Sequence, residues 1–115
     1  MKIIGVDIGG SKISSGLVNQ EKIIRTFYMP TPNDRPQHEV VNAVIQSIEE
    51  VYDSEIQGIG IGVPGLVDTK EQRVIDVANI PSWDSVPLTE LISDYFNKPV
   101  FVNNDANCFA IGEKY

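Results

Sequence analysis

Cysteine, histidine and positive charge are the scarce components of this 115-residue chain, and each shortage removes a class of function. Cys108 stands alone, so no disulfide can form within the chain. With His38 as the one histidine, there is no Cys/His set for zinc. Nine Lys and Arg face sixteen Asp and Glu; the net charge of −7 and a pI near 4.5 argue against general binding to nucleic acid or to an anionic membrane. A nucleotide stays admissible, because a turn of backbone amides with a metal ion binds phosphate locally. No apolar run approaches the roughly 20 residues of a membrane span. No leader-like segment precedes the first apolar run at Lys2, so a reducing cytoplasm is the expected setting. The 42% hydrophobic and 22% charged fractions are those of a soluble globular protein, and the length suits one domain with a real core.

Apolar periodicity supplies an order of elements. Residues 2–6 form a continuous apolar run suited to a central strand. Residues 13–18 read as its hairpin partner, and residues 22–29 as a third strand after the Asn19-Gln20-Glu21 turn. Pro30, Pro32 and Pro36 make an irregular connection. From Gln37 the period becomes helical, with Val40, Val41, Val44, Ile45 and Ile48 on one face and Glu49 and Glu50 on the other. Residues 56–63 form a strand in which Gly58, Gly60 and Gly62 alternate with aliphatics, leaving one face as bare backbone. Residues 66–77 read as an excursion of short extended pieces, and residues 79–83 as a loop. A second helix at 87–96 is expected to turn Leu88, Leu91, Ile92 and Tyr95 inward. A short strand at 99–102 and a last helix from Ala106 complete the order βββαβαβα, an α/β domain with a mixed five-stranded sheet. No C-cap follows that helix before Tyr115, which reads as a cut end.

Two strand ends carry chemistry. At the first, Asp7-Ile8-Gly9-Gly10-Ser11-Lys12 offers a carboxylate, a glycine turn whose amides can accept phosphate oxygens, a hydroxyl and a cation. The same residues also fit a plain β-hairpin turn. At the second, Asn103-Asn104-Asp105 opens the last helix, where one Asp or Asn is an ordinary N-cap. Capping leaves the other two unexplained at the carboxyl end of a sheet strand, where open α/β sheets place ligands. A carboxylate there can serve as general base toward a substrate hydroxyl. Gly60-Ile61-Gly62-Val63-Pro64-Gly65 matches a dinucleotide fingerprint in letters alone: its glycines lie inside a strand instead of leading into a helix. The Walker phosphate-loop sequence is absent. His38 reads as a solvated surface residue and Cys108 as a buried structural thiol, while Trp83 fits either the core or a pocket wall.

Taken together and in order, four segments resemble the amino-terminal part of ROK-family sugar kinases (repressor, open reading frame, kinase). Val6-Asp7-Ile8-Gly9-Gly10-Ser11-Lys12 resembles the family's first phosphate loop, and Gly60-Ile61-Gly62-Val63-Pro64-Gly65 its substrate-side strand. Ala78-Asn79-Ile80-Pro81-Ser82-Trp83 is similar to its Asn…Trp loop, and Asn103-Asn104-Asp105-Ala106-Asn107 through Gly112-Glu113 to its Glu-Asn-Asp-Ala-Asn…Gly-Glu signature. Asn103 departs from the usual Glu, and Ser11 from the commoner Thr. The resemblance implies an actin-like, ribonuclease-H-like ATPase lobe. It implies transfer of the γ-phosphoryl group of ATP, with Mg²⁺, to a hydroxyl of a hexose or N-acetylhexosamine, usually the 6-hydroxyl. By position, Asp105 is the implied general base, and Gly65, Asn79 and Asn104 hold the sugar with it. Asp7, Gly9, Gly10, Ser11 and Lys12 surround the phosphates, with Asp7 approaching the metal through water. The implied domain division makes residues 1–115 a truncated amino-terminal lobe. A carboxyl-terminal lobe would carry the second phosphate motif, the adenosine site and any structural zinc. Such a fragment is expected to be inactive alone and the complete protein to be a homodimer, with no nucleic-acid or membrane partner. Two rivals stand beside this reading: the ligand-sensing lobe of a ROK-type repressor, and a non-catalytic phosphate-binding module.

Overall fold

A computed structural model describes residues 1–20, 22–68, 70–77 and 79–103. The opening apolar run forms β1 (Lys2–Ile8) and turns through Gly10 and Ser11 into β2 (Lys12–Asn19), beside which β3 (Lys22–Pro30) returns. After the proline-rich connection come α1 (Gln37–Glu49) and β4 (Ile56–Gly62). Three short strands follow, β5 (Gly65–Asp68), β6 (Arg73–Val77) and β7 (Asp84–Val86), then α2 (Leu88–Phe96) and β8 (Val100–Asn103). The main sheet has the order β3-β2-β1-β4-β8, antiparallel among its first three strands and parallel across β1, β4 and β8. This is the expected mixed five-stranded sheet with helices.

One part of the expected order needs correcting. The short extended pieces expected over 66–77 include β5 and β6, but with β7 they form a separate antiparallel sheet of three, inserted between β4 and α2, which the expected order lacks. Strands of three to five residues carry too little periodicity to declare themselves, and their pairing decides them. The last helix expected from Ala106 lies outside the described residues.

Both parallel crossovers step across the sheet in the same direction. Right-handed connections therefore put α1 and α2 on one face. Ile4, Val6 and Ile8 of β1 point there, with Ile59 and Ile61 of β4, and meet Val40, Val44 and Ile48 of α1 and Leu88 and Ile92 of α2 in a single core. By strand alternation Ile3, Gly5 and Asp7 point to the opposite face, in register with Gly58, Gly60 and Gly62. A β-carbon on Gly58 would lie 3.2 Å from the Pro99 carbonyl, while one on Gly60 would meet no described atom within 4 Å. The bare face that the alternating glycines predict is thus real, and at Gly60 it is open among the described residues.

α1 is joined to the sheet by a hydroxyl as well as by apolar packing. At its carboxyl end the Gln46 carbonyl accepts from Glu50 N–H, that of Ile48 from Val51 N–H, and that of Glu49 from Tyr52 N–H. The Ser47 carbonyl accepts instead from Ser15 Oγ of β2 at 2.7 Å, and Ser47 Oγ donates to the Val44 carbonyl. Both serines are fully buried. Ser15→Ala strands a buried helix-end carbonyl, and we expect it to cost about 1–2 kcal/mol in denaturant unfolding. An unchanged midpoint would show that water replaces the hydroxyl.

α2 buries a narrower stripe than its pattern implies. Leu88 and Ile92 are buried, but Leu91 and Tyr95 are 40% and 56% exposed. The helix lies over β8, at the edge of the main sheet, and also meets β6 of the second sheet, which leaves Leu91 and Tyr95 partly uncovered. Tyr95 Oη instead donates to the Glu49 carboxylate at 2.8 Å, which raises the phenol pKa. Asn97 ends the helix in the left-handed conformation, its N–H returning to the Ser93 carbonyl. At the start of β1, Lys2 reaches Asp53 at 3.0 Å and Glu55 at 3.3 Å. The Glu55 amide, and next the Lys2 ammonium, hold Asp53 below the usual carboxylate range.

Candidate functional site at the carboxyl ends of the parallel strands

The β1–β2 turn is closed by Gly9 N–H donating to the Lys12 carbonyl at 2.8 Å, which leaves Gly10 and Ser11 at its tip. No described glycine has a positive φ, so the glycines are not here to reach left-handed backbone. Space explains them. A β-carbon on Gly10 would fall 2.7 Å from Asn79 Cβ, and one on Gly9 would fall 3.1 Å from the Lys12 carbonyl oxygen.

The proline-rich connection after β3 grips this turn. Thr31, nearly buried, donates its hydroxyl to the Gly9 carbonyl at 2.7 Å and its N–H to the Ser11 carbonyl at 3.0 Å. Asn33 Nδ2 donates to the Gly10 carbonyl. In a trans peptide the C=O and the following N–H point in opposite directions. Holding the Gly9 and Gly10 carbonyls therefore aims the Gly10 and Ser11 amides away from the groups that hold them. The turn is preset before any anion arrives, so little ordering remains to be done on binding.

Gly10, Ser11, Asn33, Asp34, Asn79 and Pro81 line a cleft of about 450 Å³. Asn79 is exposed, has φ 70°, and follows β6 in the second sheet. A residue expected on the sugar side therefore sits against a residue expected on the phosphate side. Ser11 and Lys12 also border an adjacent groove of about 330 Å³ with Tyr28, Met29 and Pro30. There the Lys12 ammonium lies 5.3 Å from the centre of the Tyr28 ring, a cation–π contact that keeps it beside the turn.

Gly65 lies elsewhere. It opens β5, and a β-carbon on it would fall 2.2 Å from the Asp76 carbonyl oxygen of β6. Close packing of two backbones accounts for this glycine, and it does not border the cleft around Gly10. Asp7 stands near the end of β1, in register with Gly62 of β4, and Gly62 is in register with Asn103 of β8. One row therefore carries Asp7, bare backbone and Asn103 across three parallel strands, roughly 10 Å from first to last. Asn104 and Asp105, the next two residues, lie outside the described residues, as does Cys108.

Trp83 is part of the core. It is fully buried, and its indole N–H and the Ser82 hydroxyl have no hydrogen-bond partner among the described residues. Gln37, at the start of α1, secures this loop by donating Nε2 to the Ser82 and Asp84 carbonyls. His38 is exposed, as expected. Among the described residues no group of three or more His, Cys, Asp or Glu could hold a metal, and no helix is long and apolar enough to cross a membrane. Sequence reasoning missed Thr31, Asn33 and Asp34. Their only local signal was a polar Thr-Pro-Asn-Asp run in a loop, which says nothing about the turn it touches.

Known proteins resemble this chain in sequence and in fold. The profile of the ROK family matches residues 3–115. A glucokinase of Thermotoga maritima is 38% identical over 117 residues, covering 100% of this chain and 37% of that protein. An N-acetyl-D-glucosamine kinase of Vibrio parahaemolyticus is 35% identical over 115 residues, covering 96% and 37%. The crystal structure of a ROK family glucokinase from Streptomyces griseus, in complex with glucose and AMPPNP, superposes with a TM-score of 0.82 at 36% identity, covering 93% of this chain and 34% of that one. The chain spans a little over a third of the length of the curated relatives it matches.

Proposed function

The chain belongs to the ROK family, and on that premise we propose that it forms the amino-terminal lobe of an ATP-dependent sugar kinase. The substrate is a hexose or N-acetylhexosamine, glucose or N-acetylglucosamine by the relatives' activities, and the acceptor is its 6-hydroxyl. One observation carries the reading: the glycine turn, held by its carbonyls, packs directly against Asn79 at the edge where β1, β4 and β8 end.

In this reading the Gly10 and Ser11 amides, the Ser11 hydroxyl and the Lys12 ammonium receive the phosphate oxygens of ATP, while the Gly9 amide, donated to the Lys12 carbonyl, holds the turn that presents them. Asp7 supplies a carboxylate for Mg²⁺ through water. That fits a cation that takes one or two carboxylates and completes its shell with water and substrate phosphates. When bound, the metal neutralises charge on the phosphates. Asn79 and Asn104 orient the sugar, with Gly65 a backbone contact. Asp105 accepts the proton of the attacking hydroxyl as the new oxygen–phosphorus bond forms and the bond to the β,γ-bridging oxygen of ATP breaks, releasing ADP. Such transfer needs positioning and charge neutralisation more than covalent help from the protein. This lobe is one wall of a two-lobe cleft.

The test is a coupled assay of ADP release by the complete polypeptide, with glucose, N-acetylglucosamine and N-acetylmannosamine offered in turn. Sugar-dependent ADP release is expected from the complete polypeptide and none from residues 1–115 alone. Release that needs no sugar, or no release with any hexose, would sink the kinase reading. Turnover by the 115 residues alone would sink the two-lobe argument.

A further inference from the structure

At Val102 the outer edge of the main sheet is met by a side chain, that of Gln72. β8 meets β4 through alternate residues: the Pro99 carbonyl accepts from Ile59 N–H at 2.9 Å, and the Asn103 carbonyl from Val63 N–H at 3.0 Å. By that alternation the N–H and C=O of Val102 face outward, on the side where the sheet has no further strand among the described residues. Gln72, in the turn between β5 and β6, fills the place of one. Its Oε1 accepts from Val102 N–H at 2.8 Å, and its Nε2 donates to the Val102 carbonyl at 3.3 Å. Thr89 of α2 donates its hydroxyl to the same Oε1 at 3.0 Å. The side-chain amide thus pairs with the edge as one more peptide would, and joins the second sheet, α2 and β8 at a point.

The backbone at Gln72 is unfavourable for the residue that occupies it. Its φ is 56°, a left-handed conformation that a residue with a β-carbon adopts only at a cost. Turn geometry alone asks for glycine here. The bonds to Val102 give the position a reason to hold a long amide instead. Val102 lies three residues before Asp105, so whatever sets the height and tilt of β8 also sets where the following residues emerge.

We propose that Gln72 is a positioning residue for phosphoryl transfer: by clamping Val102 it holds the end of β8 that delivers Asn104 and Asp105 to the sugar. The inference rests on the kinase reading above. A displacement of about 1 Å at a reacting group can cost up to about 100-fold in rate, so a clamp three residues away has leverage without touching substrate.

Glycine and glutamate at position 72 of the complete protein test it. Gln72→Gly removes the clamp while relieving the backbone, so kcat should fall by about tenfold or more. KM for ATP should stay within about twofold, because the β1–β2 turn is untouched. Relief of the left-handed backbone and loss of the bonds to Val102 act in opposite directions on its thermal midpoint, and the Val102 amide should exchange with solvent faster than in the parent. Gln72→Glu, which keeps an acceptor for Val102 N–H and Thr89 but loses the donor, should fall between the two in kcat. Parent-like kcat in Gln72→Gly would overturn the inference, as would a lowered kcat with exchange at the Val102 amide unchanged. Asp105→Asn is the control. If it is inactive while Gln72→Gly is parent-like, only the positioning role fails. If it retains turnover, the base assignment fails, and exchange at Val102 alone decides whether Gln72 clamps β8.

Discussion

Asp105→Asn is expected to lower kcat by about 10²- to 10⁴-fold while sugar affinity changes by no more than a few-fold. The amide keeps the shape and hydrogen-bonding reach of the carboxylate, so it still orients the hydroxyl, but it cannot take the proton when the oxygen attacks phosphorus. The expectation stands on sheet order. β1, β4 and β8 run parallel and side by side, and Asp7, Gly62 and Asn103 share a row. β8 therefore ends, at Asn103, on the edge where the glycine turn stands. Steady-state turnover by the coupled assay and sugar binding by titration calorimetry separate the two quantities. Retained turnover would remove Asp105 from the role of base. Loss of sugar binding in proportion to rate would make it a binding residue only.

Gly65→Ala carries the largest expected loss of stability. The new methyl would sit 2.2 Å from the Asp76 carbonyl oxygen and 3.0 Å from Val77 Cα, both backbone atoms of β6. Neither can rotate away as a side chain would, so β5 and β6 must separate or the strand must shift. We expect a cost of about 3 kcal/mol, seen as a fall of roughly 10 °C in the thermal midpoint of a domain this size. Gly60→Ala is the matched comparison: its methyl would meet no described atom within 4 Å, so it should stay within about 0.5 kcal/mol of the parent. If Gly65→Ala keeps its midpoint and loses only sugar affinity, the glycine is there for the ligand and the packing argument fails. If the midpoint drops, a substrate role for Gly65 must be shown separately from its role in the fold.

Most of the five-stranded sheet was legible in the sequence, for a physical reason. β1, β2, β3 and β4 are seven to nine residues long, and one face of each central strand is filled with Ile, Val or Leu. That signal is repeated often enough to outweigh local noise. α1 announced itself in the same way through Val40, Val44 and Ile48. The second sheet did not, because β7 is three residues long and offers one buried side chain, Val86. Leu91 and Tyr95 were misjudged for a related reason. Periodicity shows which face of a helix is apolar but not how wide a surface waits to cover it.

The same division runs through the site. From residue types and order alone came the family and the two strand ends proposed to carry its chemistry. A glycine turn after a buried strand, and Asn-Asp after another, are local patterns that hold wherever the chain later goes. Only the tertiary structure decided what those residues press against. It showed Gly10 to be glycine because Asn79 lies on it, and Gly65 because β6 crosses it. It set Thr31 and Asn33 on the carbonyls of the turn and Gln72 on the edge of β8. These contacts join residues 11 to 69 positions apart through single hydrogen bonds or a single missing methyl. A one-dimensional pattern repeats too few times at such points to be read, whereas packing in three dimensions leaves each of them one place to be.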